Sequence, residues 1–400
     1  MLYSILLAQF TLPWLAVAAQ QPLRSPSTPP AYRTELLSLH RSLVSIESIS
    51  GNEAPVGRFL ENYLSERGYT VKLQRVGDAE DERFNVLARP GGHVTDTSRP
   101  KVVLSSHIDV VPPYIPYEIS SPDKIDSKTV IKGRGSVDAK ASVAAMIMAL
   151  EQLRATGSIS DADAALVFVV GEEVNGAGMR AYARSLGAHG PPPAVIFGEP
   201  TENKLACGHK GILMCRVSAR GTPGHSGYPW LGKSANAVMV RAMAALLDAD
   251  LGSSARFGNT TVNIGRFEGG VAANVIAGNA TVQLAVRVAV GSEEDGSDTV
   301  RRSIEAVLRR VDDEALSMSC GDSYGPIKCN CDDPQTCQGF DTVIVNYGTD
   351  IGHLKGNYTK YLYGPGSILV AHGARENLTV GDLETAVEGY KGLILHALSR

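Results

Sequence analysis

The stretch Lys101–Asp109, KVVLSSHID, sets an apolar run directly before a histidine and an aspartate. An apolar run without polar alternation reads as a strand buried on both faces. His107 and Asp109 stand two residues apart, so on a strand their side chains share a face. Such a pair can orient a metal ligand, tune a general base or satisfy a buried polar group. Three more runs have the same character: AALVFVVGEE (164–173), PAVIFGEP (193–200) and SILVAHG (367–373). Helical patterns lie between and before them, at TELLSLHRSLVSI (34–46), NEAPVGRFLENYLSERGY (52–69) and AKASVAAMIMALEQLRATG (139–157). Apolar strands alternating with helices predict an α/β fold with a mixed, mostly parallel sheet covered by helices.

At 400 residues the chain is long enough for two domains. A net charge of −4, with no basic-aromatic stripe, gives no field for nucleic acid. From Gly211 the pattern changes to strand, helix, strand, strand, helix, with a last strand expected around Glu314 to Met318. This predicts an inserted β-α-β-β-α-β unit. The expected organisation is a signal peptide (1–19), a Pro/Ser-rich linker (20–34), a first catalytic part (35–210), the insert (211–322) and a second catalytic part (323–400). An apolar core runs from Leu2 to Leu15, interrupted by Gln9 and Pro13, and small residues follow at Ala16, Ala18 and Ala19, the pattern of a secretory leader, although no basic residue precedes it. Sequons at Asn259, Asn279, Asn357 and Asn377 agree with export and are candidate glycosylation sites. Six cysteines in an exported chain imply structural disulfides.

The buried runs deliver His107, the pair Glu172–Glu173, Glu199 and His372, and GRGSVDAK adds Asp138 in a glycine-rich turn before a helix. Open α/β sheets build their sites at the carboxyl ends of strands, so these segments can converge. Two histidines and three carboxylates, with one glutamate of the pair set aside, suit zinc. If Asp138 bridges, the set divides evenly between two ions, which together activate a water. The spare glutamate then serves as general base. Asp109 is expected to accept from the His107 ring nitrogen that faces away from the metal.

HIDVVP, GRGSVDAK, GEE, FGEPT and AHGARENLTV resemble, in order, the metal-site motifs of a zinc-dependent metallohydrolase family. It contains acetylornithine deacetylase, succinyl-diaminopimelate desuccinylase, aminoacylases and glutamate-releasing carboxypeptidases. The resemblance runs from about residue 35 to the end. It implies a zinc exopeptidase-like catalytic domain with a lid or dimerisation insert, and two zinc ions, with cobalt an alternative. It places the metal ligand second in the glutamate pair. His107, Asp138 and Glu199 then hold one ion, Asp138, Glu173 and His372 the other, and Glu172 is the base. His225, in GTPGHSGYPWLGKSAN, matches a histidine that reaches the substrate carbonyl, commonly from a neighbouring subunit. Asn274 and Arg287 match positions that bind the substrate carboxylate. Ala141 stands where the family usually has glycine, and the cysteine-bearing loop at about 320–338 has no counterpart in it.

The expected protein is therefore a secreted di-zinc hydrolase of the carboxypeptidase or dipeptidase type, acting on a peptide beside a free carboxylate. It is expected to form a homodimer through the lid and to bind neither nucleic acid nor, after leader cleavage, membrane. An N-acyl-amino-acid deacylase is the alternative. An inactive binding homologue is disfavoured because every ligand position and Glu172 are intact. His40, His93, His189, His209 and His396 are expected to be ordinary core or surface residues. His353, in TDIGHL, stays open.

Overall fold

All six residues of the strand Val102–His107 are buried. Val102 and Leu104 enter one apolar core, whereas Val103 enters another on the opposite face. Ala164–Val169 divides in the same way, with Leu166 and Phe168 on one side and Val167 and Val169 on the other. A strand with two buried faces has no polar alternation, which is the pattern its sequence carries. In a computed structural model describing residues 28–78, 82–91, 99–331 and 339–400, these strands form the middle of a six-stranded sheet. Its order is Tyr69–Arg75, Phe84–Pro90, Ala164–Val169, Val102–His107, Ala194–Gly198, Thr359–Tyr363. The first two strands join antiparallel, and the last four run parallel to one another. The expected leader, residues 20–27 of the linker, His93 and Cys337 lie outside the described residues.

Helices Arg33–Ser45, Lys140–Ala155 and Val380–Leu398 cover one face of this sheet and share its core. Met179 and Tyr182, from helix Ala177–Ser185, pack on the other face with Ala206, Ile351 and Leu354. The last helix begins with a capping box between Thr379 and Asp382, which satisfies otherwise orphaned amide donors. No helix among the described residues is long and apolar enough to cross a membrane.

The insert has its own core and a four-stranded antiparallel sheet, ordered Thr261–Gly269, Asn279–Val288, Gly211–Arg220, Leu316–Tyr324. Helices Ala235–Leu247 and Gly296–Asp312 pack on one face of it. Val300, Ile304, Val307 and Leu308 form the buried stripe of the second helix, at the spacing of one helical face. The final strand runs to Tyr324, well past the expected Met318. It does so because its pairing with Gly211–Arg220 resumes at Ser323 and Tyr324 beyond a register shift.

One expected strand is absent. SILVAHG is a series of turns, and the strand beside Ala194–Gly198 is the earlier Thr359–Tyr363. Gly364-Pro365-Gly366 breaks the run, since proline offers no amide to a ladder. Leu369 is in consequence 86% exposed.

Cys207 bonds to Cys331, and Cys215 bonds to Cys320 across paired strands of the insert. Cys329 is buried and has no disulfide partner among the described residues.

His209 is fully buried between Lys210 and Thr349. Its Nδ1–H donates to the Lys210 carbonyl at 2.8 Å, and its Nε2 accepts from the Thr349 hydroxyl at 3.0 Å. Burial lowers its pKa from 6.5 to about 4. The unfolded chain therefore takes up this proton first as pH falls, and stability is lost between about pH 6.5 and 4. The group contributes about 3 kcal/mol to that loss. Melting temperatures measured at pH 7 and 4.5 should fall less for His209→Gln than for the wild type. An equal fall would count against this account.

Candidate metal centre

The parallel strands Val102–His107, Ala164–Val169 and Ala194–Gly198 end at one edge, and each is followed or closed by a potential ligand. His107 is the last residue of its strand, Glu172 and Glu173 follow theirs by three and four residues, and Glu199 follows directly. Asp138 stands in the turn before helix Lys140–Ala155. His372 reaches the same point from a turn, where it adopts the left-handed φ of 61°.

Asp138 is buried between the two histidines. Its Oδ1 lies 3.0 Å from His107 Nε2, and its Oδ2 lies 3.2 Å from His372 Nε2. Glu199 Oε1 is 3.8 Å from His107 Nε2, and Glu173 Oε2 is 2.9 Å from His372 Nε2. Two three-residue clusters result: His107, Asp138, Glu199 and Asp138, Glu173, His372. The ligand atoms of each lie within 4.8 Å of one another. Neutral imidazole and carboxylate oxygen in threes are the donor set of a zinc site that keeps an open position. The buried Glu173 Oε1 has no hydrogen-bond partner among the described residues, so it has a lone pair to give. Burial, followed by the charge of Glu199, pushes the Glu172 carboxyl well above the usual range. Burial does the same to Glu199. Carboxylates crowded this closely call for cations, and the residues fit a pair of divalent ions.

The proton on His107 is fixed by the main chain. Its Nδ1–H donates to the Asp109 carbonyl at 2.9 Å, whereas the Asp109 carboxylate stands 3.6 Å away. The expected side-chain partner is therefore replaced by a backbone one, and Nε2 still faces the cluster with its lone pair. The Asp109 carboxylate is engaged elsewhere. It accepts from the Ser50 hydroxyl at 2.7 Å and from the amides of Glu172 and Glu173 at 3.2 and 3.3 Å. Asp109 thus anchors the turn that presents both glutamates.

A second buried group sets the remaining ligands. The carboxylate of Glu376 pairs with Arg134 at 2.6 Å, and both side chains are almost fully buried. Its other oxygen accepts from the amides of Val137 and Asp138 at 3.0 and 3.2 Å. Arg134 in turn donates to the carbonyls of Pro113, His372 and Gly373, each at 3.3 Å. One ion pair therefore ties the Asp138 turn to the His372 turn and to the segment after His107. Sequence reasoning passed over both residues, although each stands inside a quoted motif.

The clusters open into a cleft of about 370 Å³ whose walls include Arg287, Arg180, Tyr347 and His353. Arg287 comes from the insert, so the two domains share this cleft. His353 sits there as a neutral ring, its pKa lowered by burial to about 4. His225 and Asn274 are brought together elsewhere on the insert. His225 bridges to Val275, and the Ser226 amide donates to the Asn274 carbonyl. Both are exposed and neither lines this cleft.

A mixed α/β sheet carrying paired His/carboxylate clusters at its strand ends defines a metallohydrolase. Residues 207–315 match the family model described as the peptidase dimerisation domain. A peptidase M20 domain-containing protein of Sordaria macrospora is 52% identical, with 92% of this chain and 86% of that protein covered. A protein of Aspergillus fumigatus named "probable carboxypeptidase" is 45% identical over 91% of this chain and 87% of its own length. In fold, the chain is similar to a tripeptidase of Staphylococcus aureus, with a TM-score of 0.74 at 21% identity, covering 92% and 99% of the two chains. The chain belongs to the M20 peptidase family.

Glu376→Gln should weaken zinc binding about 10- to 100-fold through the loosened Asp138 and His372 turns. Competition with a chromophoric chelator reads this directly. Unchanged zinc affinity would show that the ion pair does not position the ligands.

Proposed function

We propose that the protein is a secreted di-zinc carboxypeptidase that removes the C-terminal residue of a peptide, with Glu172 as general base. One observation carries the reading: Asp138 turns one oxygen to each of two histidines, inside a cleft that also holds a glutamate free of ligand duty and an arginine. A pair of zinc ions, or cobalt, would supply Lewis-acid activation of a water and of the scissile carbonyl.

The chain's own groups do the remainder. His107, Asp138 and Glu199 would hold one ion, and Asp138, Glu173 and His372 the other. Glu172 takes a proton from the attacking water and returns it to the leaving nitrogen as the C–N bond breaks. Arg287 receives the substrate's terminal carboxylate through a bidentate pair. His225 and Asn274, exposed on the insert, act on the substrate across a homodimer, where His225 donates to the oxyanion. The family description of residues 207–315 as a dimerisation domain supports that arrangement.

Export is supported by the apolar leader pattern, by two disulfides and by sequons at exposed Asn259, Asn279 and Asn357. Asn377 is half-buried, and its amide donates to the Arg375 carbonyl, so of the four it is the least suited to a glycan.

Glu172→Gln should lower kcat on N-blocked dipeptides about 10²- to 10⁴-fold while bound zinc stays at the wild-type level. Turnover near wild type would overturn the assignment of the base. Removing metal with a strong chelator should abolish hydrolysis, and added zinc or cobalt should restore it; activity that survives chelation would refute the metal mechanism. His225→Ala should cost about 10²- to 10³-fold in kcat with metal content unchanged, and zinc loss instead would refute its role at the carbonyl.

A further inference from the structure

A second cavity, of about 490 Å³, adjoins the catalytic cleft. Arg287, Tyr347 and Ile368 line both. The wall between them is fixed, since the Tyr347 hydroxyl donates to the Pro200 carbonyl at 2.9 Å. Beyond Arg287 most of the lining is apolar, although Thr201, Glu202 and Asn346 also contribute to it. The edge strand Thr342–Val345 supplies Val343, Ile344 and Val345, and the turn before His372 supplies Ile368 and Leu369. Leu369 is 86% exposed, an aliphatic side chain left at the rim without protein cover.

We infer that this cavity takes the side chain of the released residue and selects an aliphatic or aromatic one. The inference rests on the carboxypeptidase reading, because it uses Arg287 as the seat of the terminal carboxylate. That carboxylate and the side chain leave the same carbon atom. A residue held at Arg287 must therefore direct its side chain into space bordering Arg287, and the second cavity opens there.

The charges exclude other classes. Among the described residues that line the cavity, Arg287 is the only cation, and the terminal carboxylate already occupies it. Glu202 is the only acidic lining residue, with its carboxylate oxygens at 2.9 Å from Lys204 and Ser367. A glutamate or aspartate side chain would find no unpaired cation here, since the Lys204 ammonium is already engaged by Glu202. A lysine side chain would lie along Val343 and Ile344 and meet only a carboxylate that Lys204 and Ser367 already hold. Leucine and phenylalanine bury apolar area at no such cost.

N-blocked dipeptides ending in leucine, phenylalanine, glycine, glutamate and lysine test this on the purified full chain. Leucine and phenylalanine should exceed glycine in kcat/KM by roughly tenfold or more. Glutamate and lysine should fall below leucine by at least as much. Leu369→Asp and Ile344→Ser should each reduce the leucine-to-glycine ratio at least about fivefold, the ratio being internal to each variant. The exposure of Leu369 makes its replacement harmless to folding. A wild-type ratio near one, a preference for glutamate or lysine, or ratios unchanged in both variants would overturn the pocket while the carboxypeptidase reading stands. Failure to release any C-terminal residue, glycine included, would overturn that reading and the pocket with it.

Discussion

Asp138 is a buried carboxylate that must satisfy two imidazoles at once, and much of the catalytic domain is arranged around that demand. Its two oxygens face His107 and His372, which arrive from segments more than 260 residues apart. Charge of this kind is tolerated in a low-dielectric interior only when every partner is held in place. The backbone carbonyl of Asp109 sets the first ring, and the Arg134–Glu376 pair sets the turns on which Asp138 and the second ring stand. Supporting interactions of this sort decide whether a ligand set is preorganised or merely present.

The legible part of the site is the part that continuous strands carry. His107 and Glu199 stand at the ends of runs buried on both faces, and such runs announce themselves by unbroken valine, isoleucine and leucine. His372 was legible as a ligand but not as a position. SILVA looks like a strand until Gly364-Pro365-Gly366 is weighed, and its leucine points away from any core. The Arg134–Glu376 pair spans 242 positions and has no local signature, since periodicity describes a residue's own element and not its distant partner. The task of Asp109 was misread for a similar reason. Spacing two residues apart brought it near His107, but its oxygens go to Ser50 and to the glutamate turn of another strand. In the insert, alternation along Gly211–Arg220 and the helical stripe from Val300 to Leu308 gave the topology directly.

The two domains divide the labour unevenly. The strand-end domain supplies every candidate metal ligand, whereas the insert contributes Arg287 to the cleft wall. The cleft wall is drawn from both domains, Arg287 and Met214 from the insert and Tyr347, His353 and Ile368 from the strand-end domain.

The disulfides add a topological property. Cys207 precedes the first strand of the insert and Cys331 follows its last, so this bond closes a ring, 124 positions around, that contains the whole insert sheet. Cys215–Cys320 closes a smaller ring inside the first. A chain threaded this way survives a cut. Exposed loop tips are where other peptidases nick a protein, and one nick between Cys215 and Cys320 leaves every residue on a single covalent framework. The insert can be opened at a peptide bond and still keep Arg287 at the cleft wall.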